Sequence, residues 1–419
     1  MNNLKYSNTV LVNLIISSIV PFLIWGPFFP DLIVSISALF FLYYVFKNKH
    51  FFYFNNKLLI IFFIFCCYCI FVSIFFAEDT FFSLGSSLFY FRIGVFSCFI
   101  WYLIDRDKSI LIYFYYALFL SFLALVFDGY FQYFTGKNIF GLKLIGVRIS
   151  SFFGDELIMG SYLSRLFPLL FALFIIKKKH KYEIYFISIL FILVDALIYI
   201  SGERTAFFYL NLSTVFIIIL IKEYQKVRLL TFIISIALIF VLSAYSDKLL
   251  NRMFKMPAEG MGLINNSEIN EKEIYIFSEI HDGYIKTALK MFNDRPIFGH
   301  GPKMFRLKCS NPNYSTGKYS CDTHPHNFYV QLLAETGVIG FLFLISAFFY
   351  VLYASMKQLK SIIFRKSRYL TDYQVCLLAS MLITLWPISP NGNFFNNWLI
   401  IVYSMSIGFY LQSHNKKKQ

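Results

Sequence analysis

Two histidines, His324 and His326, stand in the run His324-Pro325-His326-Asn327, directly ahead of an apolar stretch. An unperturbed histidine titrates near 6.5, so either can accept a proton near neutrality, as a general base must. Downstream, Gln331 and Glu335 are four residues apart and share one helix face. Glu335 is expected two turns inside a membrane helix, where an ionisable group is expensive and points to function. Gly337 and Gly340 would let another helix approach closely. The plainer alternative is a capped helix start with a loop histidine and a carboxylate satisfied by a neighbouring helix. The coincidence of several costly features favours the functional reading.

Arginines form the second group. Arg204 lies in Ser201-Gly202-Glu203-Arg204-Thr205-Ala206, between two apolar runs. Its planar donor fork suits phosphate oxygens, although an arginine snorkelling to lipid headgroups fits this stretch equally well. Arg148, in Gly146-Val147-Arg148-Ile149-Ser150, is the other candidate ligand for an anion. Arg92 and Arg165 lie inside apolar runs and are as readily structural, with Asp155, Glu156 and Asp195 available as carboxylate partners. His281 falls on the apolar stripe of an amphipathic segment, where a histidine is more often packed than catalytic, and His300 sits between two glycines as a turn residue would.

Familiar alternatives are missing from the chain. It has no phosphate-binding P-loop, no G-x-S-x-G elbow, no H-E-x-x-H and no paired CxxC. Asn265-Asn266-Ser267 and Asn313-Tyr314-Ser315 match the short glycosylation sequon. Of seven cysteines, Cys66, Cys67, Cys69, Cys98 and Cys376 lie in apolar runs and read as small packing residues. Cys309 and Cys321 share the one polar excursion. An oxidising compartment would let them pair, and metal partners at the usual spacing are lacking.

These residues need a membrane to position them. The 419-residue chain is 58% hydrophobic and only 15% charged, with 54 Phe, whereas a soluble domain is roughly half apolar and about a quarter charged. Apolar runs long enough for a helical crossing fall near 10–28, 31–46, 57–77, 85–104, 109–127, 157–176, 183–201, 205–221, 228–246, 328–354, 370–388 and 394–412. The first lacks a small-x-small cleavage site and reads as a membrane helix. The fold expected is therefore all-α and polytopic, with about twelve transmembrane helices. These would be helices one to nine over 1–246 (with an outer segment at 128–159), one large outer loop over 247–327, and three more helices over 328–419.

Charge gives the orientation. The formal net charge is +15. With a cytoplasmic N-terminus, more than half of the Lys and Arg fall in the inner segments, including Lys5, Lys177–Lys179, Lys181 and Lys416–Lys418. The short outer loops carry none, so both termini are expected inside. This placement explains the basic balance with no nucleic acid as partner. The outer loop should hold an amphipathic helix over 273–293, with Phe277, Ile280, Tyr284, Ala288 and Phe292 on one face, ended by Pro296 and the Gly299–Pro302 turn.

From His324 through Gly340 the chain resembles the bacterial O-antigen ligase and O-antigen polymerase family. Ser201–Ala206, the Pro296–Gly301 turn and the turn Pro390-Asn391-Gly392-Asn393-Phe394-Phe395-Asn396-Asn397-Trp398 extend the resemblance, as does the layout of spans. It implies a metal-independent inverting glycosyltransferase without a cofactor, in the bacterial inner membrane. Its donor would be a glycan on undecaprenyl diphosphate, and its acceptor a sugar hydroxyl of lipid A core or of another glycan. The resemblance assigns His326 as base or acceptor-positioning group and Arg204 as a donor residue, with Arg148 joining it; the residues themselves place His324 and Glu335 in the expected binding site. The family carries an arginine where His281 stands here, so His281 would contribute positive charge only if protonated, or Arg295 or Arg306 would replace it. A ligase is favoured over a polymerase because one outer loop dominates. A transporter and a membrane scaffold are the rival classes: the first predicts two related halves, and the second leaves Arg204, His326 and Glu335 unexplained.

Overall fold

The computed structural model describes residues 2–177, 180, 182–264 and 274–414, which leaves Lys178, Lys179, Lys181, Lys416–Lys418 and the Asn265–Ser267 sequon outside the described residues. Helices make the fold, and the described residues contain only two isolated β-bridges, Lys137 to Lys143 and Ile145 to Arg148. A chain in hydrocarbon must satisfy its backbone within each segment, and helices do this.

The N-terminal half comprises α1 (Asn2–Ser17), α2 (Ile19–Trp25), α3 (Phe28–Asn48), α4 (Lys57–Phe75), α5 (Thr80–Ser87), α6 (Arg92–Arg106), α7 (Ile110–Thr135), α8 (Met159–Lys177), α9 (Glu183–Ile200), α10 (Arg204–Leu220) and α11 (Gln225–Tyr245). The large loop holds α12 (Asp247–Leu250), a π-helical stretch Asn251–Lys255, α13 (Met256–Gly260), α14 (Glu279–Asp294) and α15 (Phe305–Lys308). The chain then runs through α16 (Phe328–Ile363), α17 (Asp372–Thr384) and α18 (Asn397–His414).

Among the described residues, eight helical segments are long and apolar enough to cross a membrane; the apolar stretches Thr9–Trp25, Arg204–Leu220 and Asp372–Thr384 are shorter. The molecule is a multi-pass membrane protein. Helix α8 is its axis, buried along nearly its whole length and packed by α17, α10 and α7. The flanks of α3 and α11 expose Leu39, Phe40, Leu230, Ile233 and Phe240, the apolar outer surface that lipid requires.

Two boundaries differ from expectation for visible reasons. Helix α7 continues to Thr135 and closes on Gly136 in the left-handed conformation, so the first excursion is 136–158. Helix α14 begins at Glu279, where the Ser278 side chain caps the His281 N–H. Its buried face is Thr287, Ala288 and Met291, while Ile280 is exposed. Ala288 and Met291 share a small second core with Phe305, Cys309 and Ala334, which seats the loop on α16.

Gly337 breaks α16 at φ +66°. The break admits the Pro296–Pro302 turn: a side chain at Gly337 would place its Cβ 2.2 Å from the Ile297 carbonyl oxygen. Backbone groups freed by the break find partners. The N–H groups of His300 and Gly301 donate to the Ala334 and Glu335 carbonyls at 3.1 and 2.7 Å, the Val338 N–H donates to Pro296 O, and Tyr68 Oη donates to Thr336 O. Gly337 therefore accommodates a loop backbone where a helix was expected, and the space over Gly340 is filled by Thr336 of the same helix.

Candidate functional site

The side chain of Asn327 caps α16, accepting from the N–H groups of Tyr329 and Val330, and its amide donates to Pro387 O at 2.8 Å. His326 is thereby held just outside the helix at φ +55°, a region few residues other than glycine adopt. The facing turn locks it there, because the Asn391 N–H donates to the His326 carbonyl at 2.9 Å and Asn391 Oδ1 accepts from the Phe328 N–H at 3.0 Å. Gln331 completes the staple, donating to Asn393 Oδ1 at 3.0 Å and accepting from the Phe394 N–H at 2.9 Å.

His326 Nε2 lies 3.0 Å from Asp322 Oδ2. Burial works against the charge of Asp322, but the His326 hydrogen bond and the Thr323 N–H hold its carboxyl below the usual carboxylate range. A carboxylate on one ring nitrogen fixes tautomer and orientation and stabilises the imidazolium when the other nitrogen takes a proton. The imidazole stacks on Tyr284 with centroids 5.5 Å apart, and His281 and His324 lie at 5.5 and 4.2 Å. Cys309 and Cys321 form a disulfide with Cα atoms 5.0 Å apart, and Asp322 follows Cys321 directly, so the cross-link anchors the carboxylate's backbone.

His326 faces a cavity of about 1550 Å³, larger than the roughly 300–1,000 Å³ typical of small-ligand pockets. Six basic side chains line it: Arg148, Arg165, Arg204, Arg252, Lys303 and Arg306. Two carboxylates, Glu156 and Glu203, also reach the wall. Glu203 is already engaged, accepting from the Gly160 and Ser161 N–H groups at 2.7 and 3.2 Å at the N-terminus of α8. Burial pushes it up to about 7, against those N–H groups and Arg148, so it neutralises the arginines only in part. The cavity wall accordingly carries an excess of positive charge, which attracts anions.

Arg148 is held by a network in the 136–158 excursion. Gln132 Oε1 accepts from the Ser150 and Ser151 N–H groups, and Asp128 accepts from Ser151 Oγ at 2.6 Å. The Nη2 of Arg148 donates to Leu157 O at 3.4 Å, while its Nε has no partner among the described residues. Burial lowers its pKa, with Glu203 opposing and Arg252 reinforcing the shift. Arg204, the first residue of α10, is exposed at the wall.

The structure thus gathers Arg148, Arg204, His281, Arg306, His324 and His326 around one space. His281 is half-buried with Nδ1 2.7 Å from Ser278 Oγ. Burial, then the nearby His326 and Arg204, push it down to about 4, so it stays neutral near pH 7. His324 Nε2 contacts Asn391 O at 3.2 Å, and burial followed by His326 brings it to about 4 as well. Arg295 turns away and donates to Phe76 O. Glu335 lies outside the cavity wall: it is fully buried and accepts from Gln331 Nε2 at 2.9 Å and the Phe305 N–H at 3.2 Å, fastening α15 to α16. His300 is buried beneath α14, with Nε2 2.9 Å from Met291 O.

Asp322, Arg252 and Lys303 were not singled out from the sequence. A histidine four residues after an aspartate beside a cysteine was the available signal for Asp322. Arg252 sits in a π-helical stretch whose direction no periodicity announces. Among the described residues, no group of three His, Cys, Asp or Glu side chains is arranged to hold a metal ion.

A family model described as O-antigen ligase matches residues 187–345. The matched segment runs from α9 into α16 and contains Arg204, Arg252, His281, Lys303, Arg306, Asp322, His324 and His326, while Arg148 and Arg165 precede it. No protein of curated function matches the chain.

Proposed function

We propose that this chain, whose residues 187–345 match a family model described as O-antigen ligase, transfers a polysaccharide from undecaprenyl diphosphate to a sugar hydroxyl, most specifically in O-antigen ligation to lipid A core. The observation that carries the reading is the His326–Asp322 pair facing a cavity lined by six basic side chains. The loop-bearing face is read as periplasmic, with both termini cytoplasmic. The basic short loops and the Cys309–Cys321 disulfide support that orientation.

In this mechanism His326 takes the proton of the acceptor hydroxyl, and Asp322 stabilises the imidazolium. The acceptor oxygen bonds to the anomeric carbon from the side opposite the leaving oxygen, so the configuration inverts. The bond from that carbon to the phosphate oxygen breaks with its electron pair on undecaprenyl diphosphate. Arg204, Arg148 and Arg252 stabilise the charge that develops there, which is the task of preorganised cations in a water-poor site. No covalent enzyme intermediate and no metal enter the scheme.

The experiment is product analysis with purified protein in lipid, supplied with an undecaprenyl-diphosphate-linked glycan alone and then with lipid A core. Transfer only when lipid A core is present is the expected result. A ladder of lengthening glycans from donor alone would make the protein a polymerase and overturn the acceptor assignment.

A further inference from the structure

Arg165 has a different setting from the other cavity arginines. It lies past the first turn of α8, about 9 Å along the axis from Met159 at 1.5 Å per residue. The residue is 3% exposed, and its guanidinium lies against two aromatic rings, 4.5 Å from the Tyr209 centroid and 4.0 Å from that of Tyr403, with a side-chain hydrogen bond to Tyr403. Nε and Nη1 have no hydrogen-bond partner, and no carboxylate forms an ion pair with it among the described residues. Even so, it lines the cavity. A buried guanidinium with no carboxylate partner and two unsatisfied nitrogens is costly unless an anion comes to it. Arg228 is comparably buried, but it lies outside this cavity and has Asp195 within electrostatic reach.

We propose that Arg165, clamped by Tyr209 and Tyr403, is the seat for the prenyl-proximal phosphate of a lipid diphosphate, while Arg148, Arg204 and Arg252 hold the glycan-proximal phosphate. This deepens the donor reading above and rests on it. The prenyl chain stays in hydrocarbon, so the phosphate bonded to it enters deepest. Arg148, Arg204 and Arg252 belong to the loop-bearing end of the helices, and Arg165 lies further in. The two rings exclude water from the guanidinium, which strengthens its attraction for a phosphate oxygen.

The test uses full-length protein in nanodiscs of zwitterionic lipid, with undecaprenyl diphosphate and undecaprenyl monophosphate as probes. Wild type should bind both, the diphosphate more tightly. Arg165→Met should weaken both by about ten- to a hundredfold, the loss of a charge-assisted hydrogen-bonding partner. Arg204→Ala should weaken the diphosphate alone. If Met prevents folding, Arg165→Gln removes the charge, keeps polarity and gives the same readout. Monophosphate affinity unchanged in the Arg165 variants overturns the seat while leaving the donor reading intact. A wild type that binds neither probe overturns both.

Discussion

His326 is poised by three constraints of different kind: a left-handed backbone held by the Asn391 N–H, a carboxylate on Nε2, and Tyr284 stacked on the ring. Together they leave Nδ1 as the site for a proton taken from an acceptor. His326→Ala should therefore lower turnover by about a hundredfold or more, the usual range for a positioned base. Asp322→Asn should cost about ten- to a hundredfold, as loss of an orienting partner does. Donor affinity should stay near wild type in both variants, measured by titration with the lipid-linked glycan in nanodiscs. A fall in donor affinity equal to the fall in turnover would place the pair in donor binding instead. His326 and Arg204 were legible because residue type and position beside an apolar run suffice to nominate them. Asp322 was not, since a carboxylate in an irregular loop acquires its meaning only when the loop folds back. Glu335 shows the converse: costly burial singled it out, but the cost is met by Gln331 and the Phe305 N–H, and the carboxylate works as a fastener.

Among the elements, the break in α16 determines where the loop sits. Val338 N–H, three freed carbonyls, Tyr68 and the Pro296–Pro302 turn form one unit, and α14 and α15 are mounted on it. Gly337→Ala would combine a side chain at φ +66° with a clash against Ile297 O. It should destabilise the loop by at least about 2 kcal/mol, from backbone strain and overpacking together. Hydrogen exchange would register this as faster exchange over 279–309, with α8 and α17 unaffected. Unchanged exchange in the loop would mean that the turn docks independently of the break. The apolar runs made the helices themselves legible, because hydropathy over some twenty residues is a strong signal. Ends and interruptions were less so. Hydropathy does not mark the division of 85–104 into α5 and α6, the late start of α14 rests on the Ser278 cap, and the break at Gly337 depends on contacts with the distant Pro296–Pro302 turn.

Taken whole, the cavity belongs to no single segment. Its wall draws Arg148 and Arg165 from the N-terminal half, Arg204 through His326 from the segment matched to the O-antigen ligase family, and Asn391 and Tyr403 from the last turn and helix. The fold brings cations that are distant in sequence to one cavity, and the proposed function then makes a quantitative claim about Arg148 and Arg204. If both hold the same phosphate, Arg148→Ala and Arg204→Ala should each weaken donor binding by about tenfold or more. The double variant should then lose less than the sum, because a donor already loosened by one change has less contact left for the second to remove. A coupling above about 0.5 kcal/mol is the expected outcome of the double-mutant cycle, read as donor affinity in nanodiscs at fixed salt. Strict additivity would mean that the two arginines face different groups. The excursion over 136–158 would then serve a different part of the substrate, and the donor site would be confined to the matched segment and Arg165.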